Sequence, residues 1–148
     1  MNKAEELQRS RLFHGLLPEE IEMLAEVTQQ KNYKAGELVF EQGSVGDSLF
    51  LLAEGAVDVV RKREDGEERV IATLQAPEFF GEMSLIDKEY RSATIRSSTD
   101  TVMLCLSSEN LRSFSRVYRN GFTLLVINIA RVLSLRLRET NEKLAAKM

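Results

Sequence analysis

Glu82 and Arg91 are the two residues of this sequence whose types and setting suit a definite chemistry. They lie in the segment Phe79-Phe80-Gly81-Glu82-Met83-Ser84-Leu85-Ile86-Asp87-Lys88-Glu89-Tyr90-Arg91-Ser92-Ala93. It reads as a glycine turn, a short apolar helical turn, and an arginine beside small residues. An arginine held near a helix start, with several free backbone N–H groups, makes an anion site because planar donors and aligned dipoles converge on one point. A carboxylate beside that site repels a bare phosphate. Glu82 fits if the ligand also offers hydroxyl donors, as a ribose does.

Other chemistries have too few residues. His14 is the only histidine and Cys105 the only cysteine, so a zinc or iron site with three or four imidazole or thiolate ligands is excluded, as are haem and iron–sulfur groups. A catalytic triad needs a nucleophile, a base and an orienter, and no nucleophile motif lies near His14. Cys105 alternates with apolar residues and reads as a buried, inert thiol. No catalytic and no metal residue is therefore assigned. Gly43, Gly46 and Gly55 read as turn or bulge glycines. The run Arg61-Lys62-Arg63 reads as a solvated hairpin tip, and Arg131, Arg136 and Arg138 as the solvent face of the last helix.

The elements that must position Glu82 and Arg91 are legible from periodicity. Leu17-Pro18-Glu19-Glu20 opens a helix, with Pro at its first position and acids in its first turn. Ile21, Leu24 and Val27 carry its apolar face to about Gln29, and Leu12, Phe13 and Leu16 predict a short helix before it. β-type segments follow at 37–41, 48–54 and 56–63, with a hairpin at Asp65-Gly66 and further strands at 92–97 and 101–107. Ser107 or Ser108 caps a helix from Glu109 onward. After Gly121, a stripe of Phe122, Val126, Ile129, Leu133, Leu137 and Leu144 predicts a long helix that buries this stripe on its own domain or on a partner. The expected organisation is an N-terminal helical segment (1–30), a β-roll (31–107) containing the segment 79–93, and C-terminal helices (108–148).

Phe80-Gly81-Glu82-Met83-Ser84-Leu85 followed by Arg91-Ser92-Ala93 resembles the phosphate-binding cassette of cyclic-nucleotide-binding domains, such as those of the catabolite activator protein and the cAMP-dependent kinase regulatory subunits. Lys34-Ala35-Gly36-Glu37, Gln42-Gly43, Gly46-Asp47 and Leu52-Ala53-Glu54-Gly55 resemble that family's glycine-punctuated early strands. The resemblance runs from about Leu12 to Arg138. It implies a mainly β fold with flanking α: an antiparallel double-stranded β-helix, or jelly roll, with an N-terminal helix and C-terminal helices. It implies cAMP or cGMP as ligand. Glu82 would accept from the ribose 2′-hydroxyl, and Gly81 would let the backbone approach the sugar. Arg91 would pair with the cyclic phosphate. Backbone N–H groups at Ser84 and Leu85, with Ser92, would complete the cradle, and Met83 and Ala93 would line it. Thr140 and Asn141 are candidates for contacts to the base. Tyr90 stands where many members have Pro, and Ser84 where Ala is usual. Arg91-Ser92-Ala93 resembles the bacterial activators, which favours cAMP.

The remaining expectations concern the setting. The chain has 148 residues, 43% hydrophobic and 29% charged, and a net charge of -3. That is one soluble globular domain without a general basic field for nucleic acid. The N-terminus lacks the apolar run of a secretory signal, and the apolar run 124–127 is too short to cross a bilayer, so the expected address is cytoplasmic with no membrane partner. No helix-turn-helix is expected after the last helix. The expected role is a sensor, not an enzyme. It needs no cofactor beyond its ligand, pairs as a homodimer through the last helix, and passes its signal to a separate effector protein. Residues 81–91 would tighten on the ligand, with Leu85 passing the movement to the helix after Gly121. A ligand-free docking module on the same fold is the alternative.

Overall fold

The computed structural model describes residues 1–86 and 90–148, apart from the side chains of Leu85 and Ile86. The expected closure of 81–91 and the coupling role of Leu85 therefore lie partly outside the described residues.

Among the described residues, eight strands form two four-stranded sheets, and every pairing is antiparallel. The first sheet runs β1 (Gln29–Tyr33), β8 (Thr101–Ser107), β3 (Ser48–Glu54), β6 (Phe79–Phe80). The second runs β2 (Leu38–Phe40), β7 (Thr94–Ser97), β4 (Ala56–Lys62), β5 (Glu68–Gln75). The helices are α1 (Lys3–Arg9), a 3-10 turn (Arg11–Phe13), α2 (Pro18–Val27), the one-turn α3 (Met83–Ile86), α4 (Ser108–Val117) and α5 (Arg119–Ala146).

The period of two in β3 and β8 produces two cores. Leu49, Leu51, Leu104 and Leu106 face a helical layer built on Leu7, Leu12, Ile21, Leu24, Leu111, Phe114, Leu125 and Ile129. The alternate residues Phe50, Leu52, Met103 and Cys105 face the second sheet with Val57, Phe80 and Ile95. The central strand is covered on both sides, which is why 49–53 is an unbroken apolar run. Adjacent residues of β6 divide the same way, Phe79 joining the helical core and Phe80 the inter-sheet core. Cys105 is buried, as expected.

Helix ends follow their local chemistry. The Leu17 N–H donates to Glu20 Oε1 (2.8 Å), closing the first turn of α2. The Asn110 N–H donates to Ser107 Oγ (3.1 Å), so Ser107 caps α4. The Arg63 N–H donates to Glu67 O (2.9 Å), which makes the β4–β5 connection a five-residue turn with Asp65-Gly66 inside it. Arg61, Lys62 and Arg63 are exposed there.

Three expectations need correction. The helix from Pro18 stops at Val27 and the chain pairs as β1 from Gln29. The strand expected at 92–97 starts two residues later, as β7 from Thr94, and the backbone of Arg91 before it pairs with the β2–β3 loop. On α5 the buried face is Leu125, Asn128, Ile129 and Val132. Of the expected stripe, Ile129 is buried and Phe122 and Leu133 pack half-buried against the helical core, while Val126 (42%), Leu137 (61%) and Leu144 (58%) are exposed. Leu125 and Val132 complete the period with Ile129 and point at the 3-10 turn, so they win the core positions. By length and composition alone α5 is long and apolar enough to cross a membrane, yet that face is packed into the helical core.

Candidate functional site

Gly81 starts the site. Its φ of +83° turns the chain sharply after Phe80, and a Cβ there would meet Arg91 Nη1 and Ser48 O at 2.8 Å each. The turn sends Glu82 and Ser84 inward, both buried, and leaves Met83 half exposed. At the far end of the cassette, the Arg91 N–H donates to Ser44 O (2.6 Å) and the Gly43 N–H donates to Arg91 O (2.8 Å). A bridge between Val45 and Tyr90 continues this pairing. The β2–β3 loop thus fixes the Arg91 backbone from outside the cassette.

The Arg91 side chain is only 9% exposed. Its guanidinium stacks 4.1 Å from the ring centroid of Phe40, which sits with Phe50 and Phe80 in a cluster of three rings 5.2–5.9 Å apart. It donates from Nη2 to Ser48 O (3.0 Å) and from Nη1 to Ser84 Oγ (2.7 Å) and Gly81 O (3.4 Å). Every one of these acceptors is neutral. Among the described residues no carboxylate lies within salt-bridge distance of Arg91. Burial pulls the guanidinium below its ordinary pKa, and the charges of Asp47, Cys105 and Glu82 oppose that pull.

Gly46 matters for a reason that sequence reasoning missed. Its φ is not in the positive range of Gly43 and Gly55, and a Cβ on it would collide with Arg91 Nε and Cζ and with Ser84 Oγ. It leaves the space that the arginine fills.

A cavity of about 270 Å³ opens over these groups. Phe40, Val59, Ala72, Leu74, Phe80 and Ile95 form its apolar wall. Gly81, Glu82, Met83, Ser84, Arg91, Ser92 and Ala93 line the other side, together with Arg136. The expected cassette residues are thus brought together, save Leu85, whose side chain is outside the described residues. Thr140 and Asn141 are exposed and do not line this cavity; the Thr140 hydroxyl donates to Arg136 O (2.9 Å), within its own helix.

Arg136 corrects the reading of α5 as solvent-facing there. Its Nη1 lies 3.6 Å from Glu82 Oε1, its Nη2 donates to Phe79 O (3.1 Å), and its guanidinium sits 4.6 Å from the Phe79 ring centroid. The signal was present in the sequence: Arg136 continues the face of Leu125, Ile129 and Val132 at helical spacing. The site therefore presents a buried cation for an anion, a carboxylate for hydroxyl donors, and an apolar wall for a flat ring.

Comparison with known proteins agrees with this geometry. The family model for the cyclic nucleotide-binding domain matches residues 30–118. The chain is 38% identical over 138 residues to the cyclic AMP receptor protein of Thermus thermophilus, covering 93% of this chain and 62% of that protein. It is 30% identical over 139 residues to the CRP-like cAMP-activated global transcriptional regulator of Mycobacterium tuberculosis, covering 94% of this chain and 60% of that one. The chain thus spans about three-fifths of the length of these relatives. A crystal structure of a cyclic nucleotide-binding domain from Methylobacillus flagellatus superposes with a TM-score of 0.87 at 26% identity, covering 99% of this chain and 83% of that one. The cassette, the two-sheet roll and these matches place the chain in the cyclic nucleotide-binding domain family.

Proposed function

We propose that this chain is a regulatory module that binds cAMP reversibly and converts occupancy into a change in α5. The observation that carries the reading is Arg91: a buried guanidinium held by neutral acceptors beside an apolar cavity. A buried charge without a countercharge is costly, and a ligand phosphate relieves that cost. Glu82, on the same wall, selects a phosphate ester that also carries a hydroxyl. Both relatives are cAMP-responsive regulators by name, which favours cAMP over cGMP.

Coupling runs through Glu82. A ribose hydroxyl donating to that carboxylate meets the group that already holds Arg136 of α5. Ligand then shifts α5 only as far as it prefers one arrangement of this pair over another. We assign the chain no catalytic role. We place it in the cytoplasm, with its output read by an effector protein.

The largely apolar, mostly exposed row on α5 supports a second copy of the chain as partner. Val126, Ala130, Leu137 and Leu144 are exposed and, with the half-buried Leu133 and the polar Thr140 between them, follow in steps of four and three, the spacing of a two-helix seam.

The test is calorimetry of the whole chain, unfolded and refolded to strip carried-over ligand, against cAMP and cGMP. Saturable one-per-chain binding with cAMP the tighter is expected. No heat and no thermal shift with either nucleotide would overturn the reading in favour of a docking module.

A further inference from the structure

The Ser84 hydroxyl lies against the buried guanidinium of Arg91. Its Oγ accepts from Arg91 Nη1 at 2.7 Å, in a residue only 6% exposed. A serine hydroxyl has one hydrogen to donate, and an oxygen already accepting from a guanidinium turns that hydrogen away from it. Among the described residues no acceptor receives it. Ser84 also lines the cavity, next to Arg91, so the unspent donor and the cation share one wall.

We propose that the Ser84 hydroxyl is a direct phosphate ligand, oriented by Arg91, so that guanidinium and hydroxyl bind the phosphate as one unit. The inference rests on the proposed cyclic-nucleotide reading and adds a contact to it. An O–H···O⁻ bond is short and strong, and polarisation by the arginine strengthens it further. Gly46 is part of the same device, because any side chain there would displace both Arg91 and the Ser84 oxygen.

The experiment combines calorimetry with cAMP and the ³¹P resonance of bound cAMP in the wild type, Ser84→Ala, Arg91→Ala and the double variant. Ser84→Ala removes one oxygen and adds no bulk, so the fold is retained, which thermal unfolding verifies. The variant is expected to bind cAMP about tenfold more weakly and to shift the bound ³¹P resonance. In the Arg91→Ala background the same substitution is expected to cost less than about twofold, because the orienting group is gone. Wild-type binding with an unshifted ³¹P signal in Ser84→Ala overturns the direct contact and leaves the cyclic-nucleotide reading standing. Equal losses from Ser84→Ala in both backgrounds overturn the shared unit. Failure of the wild type to bind at all overturns both readings.

Discussion

Arg91 is a residue whose position costs the fold something. Its charge is buried on Phe40, held by neutral oxygens, and its pKa is pulled down by desolvation. Replacing a buried charge by an apolar group of similar length is often neutral or stabilising. Arg91→Met is therefore expected to unfold at the wild-type temperature or above it, while its affinity for cAMP falls by about 2–5 kcal/mol, roughly thirtyfold or more. Differential scanning calorimetry and ligand titration on one preparation check both halves. Loss of stability and affinity together would make Arg91 a scaffold residue. Glu82→Ala should cost less affinity, since it removes an acceptor and leaves the phosphate paired. Tyr33 gives a pH prediction at the same scale. Burial, and then the charges of Cys105 and Glu37, raise its phenol above the ordinary value of about 10. The folded state thus favours the neutral phenol. That contribution is complete below about pH 10 and is lost as pH rises through the raised value. Urea melts from neutral to alkaline pH should show this loss in the wild type and not in Tyr33→Phe.

At the level of elements, α5 is held by two different polar contacts. Asn128 is buried and donates from Nδ2 to Leu12 O (2.8 Å) and His14 O (3.0 Å), tying the helix to the 3-10 turn. Asn128→Ala leaves those two carbonyls without their donor and should destabilise the chain by about 1–3 kcal/mol in urea unfolding. Arg136 ties the same helix to Glu82 and Phe79. A spin label at Leu144 should gain mobility in Arg136→Ala, and unchanged mobility would remove Arg136 from the coupling. Strands 48–54 and 101–107 were readable to the residue because both faces of each strand are buried or half-buried and the apolar signal is dense. The cassette was readable from Gly81, Glu82 and Arg91 because its chemistry is local. β1 was not, since Gln29, Gln30, Lys31 and Asn32 are exposed and the strand is specified by its partner β8. Gly46 was missed because the atoms it accommodates belong to Arg91, and no local pattern records a contact over that separation.

For the whole molecule, the two cores divide the labour. The inter-sheet core carries the phenylalanine floor of the cavity, and the helical core carries α5, with β3 and β8 common to both. A second copy docking on the exposed α5 row predicts a dimer in sedimentation velocity, reduced to a monomer by Leu137→Glu; a monomeric wild type would remove the dimer from the proposal. Beyond Leu133, among the described residues, the hydrogen bonds and ion pairs that tie α5 to the rest of the chain come from Arg136. In the proposed coupling the helix acts as a lever. Its pivot is the packed turn at Asn128 to Val132, its catch is one guanidinium, and its free arm from Val132 to Ala146 is about 21 Å long at 1.5 Å per residue. A tilt of about 10° at that pivot carries the tip through roughly 4 Å, so an exchange of partners at one carboxylate becomes a displacement large enough for a neighbouring surface to read.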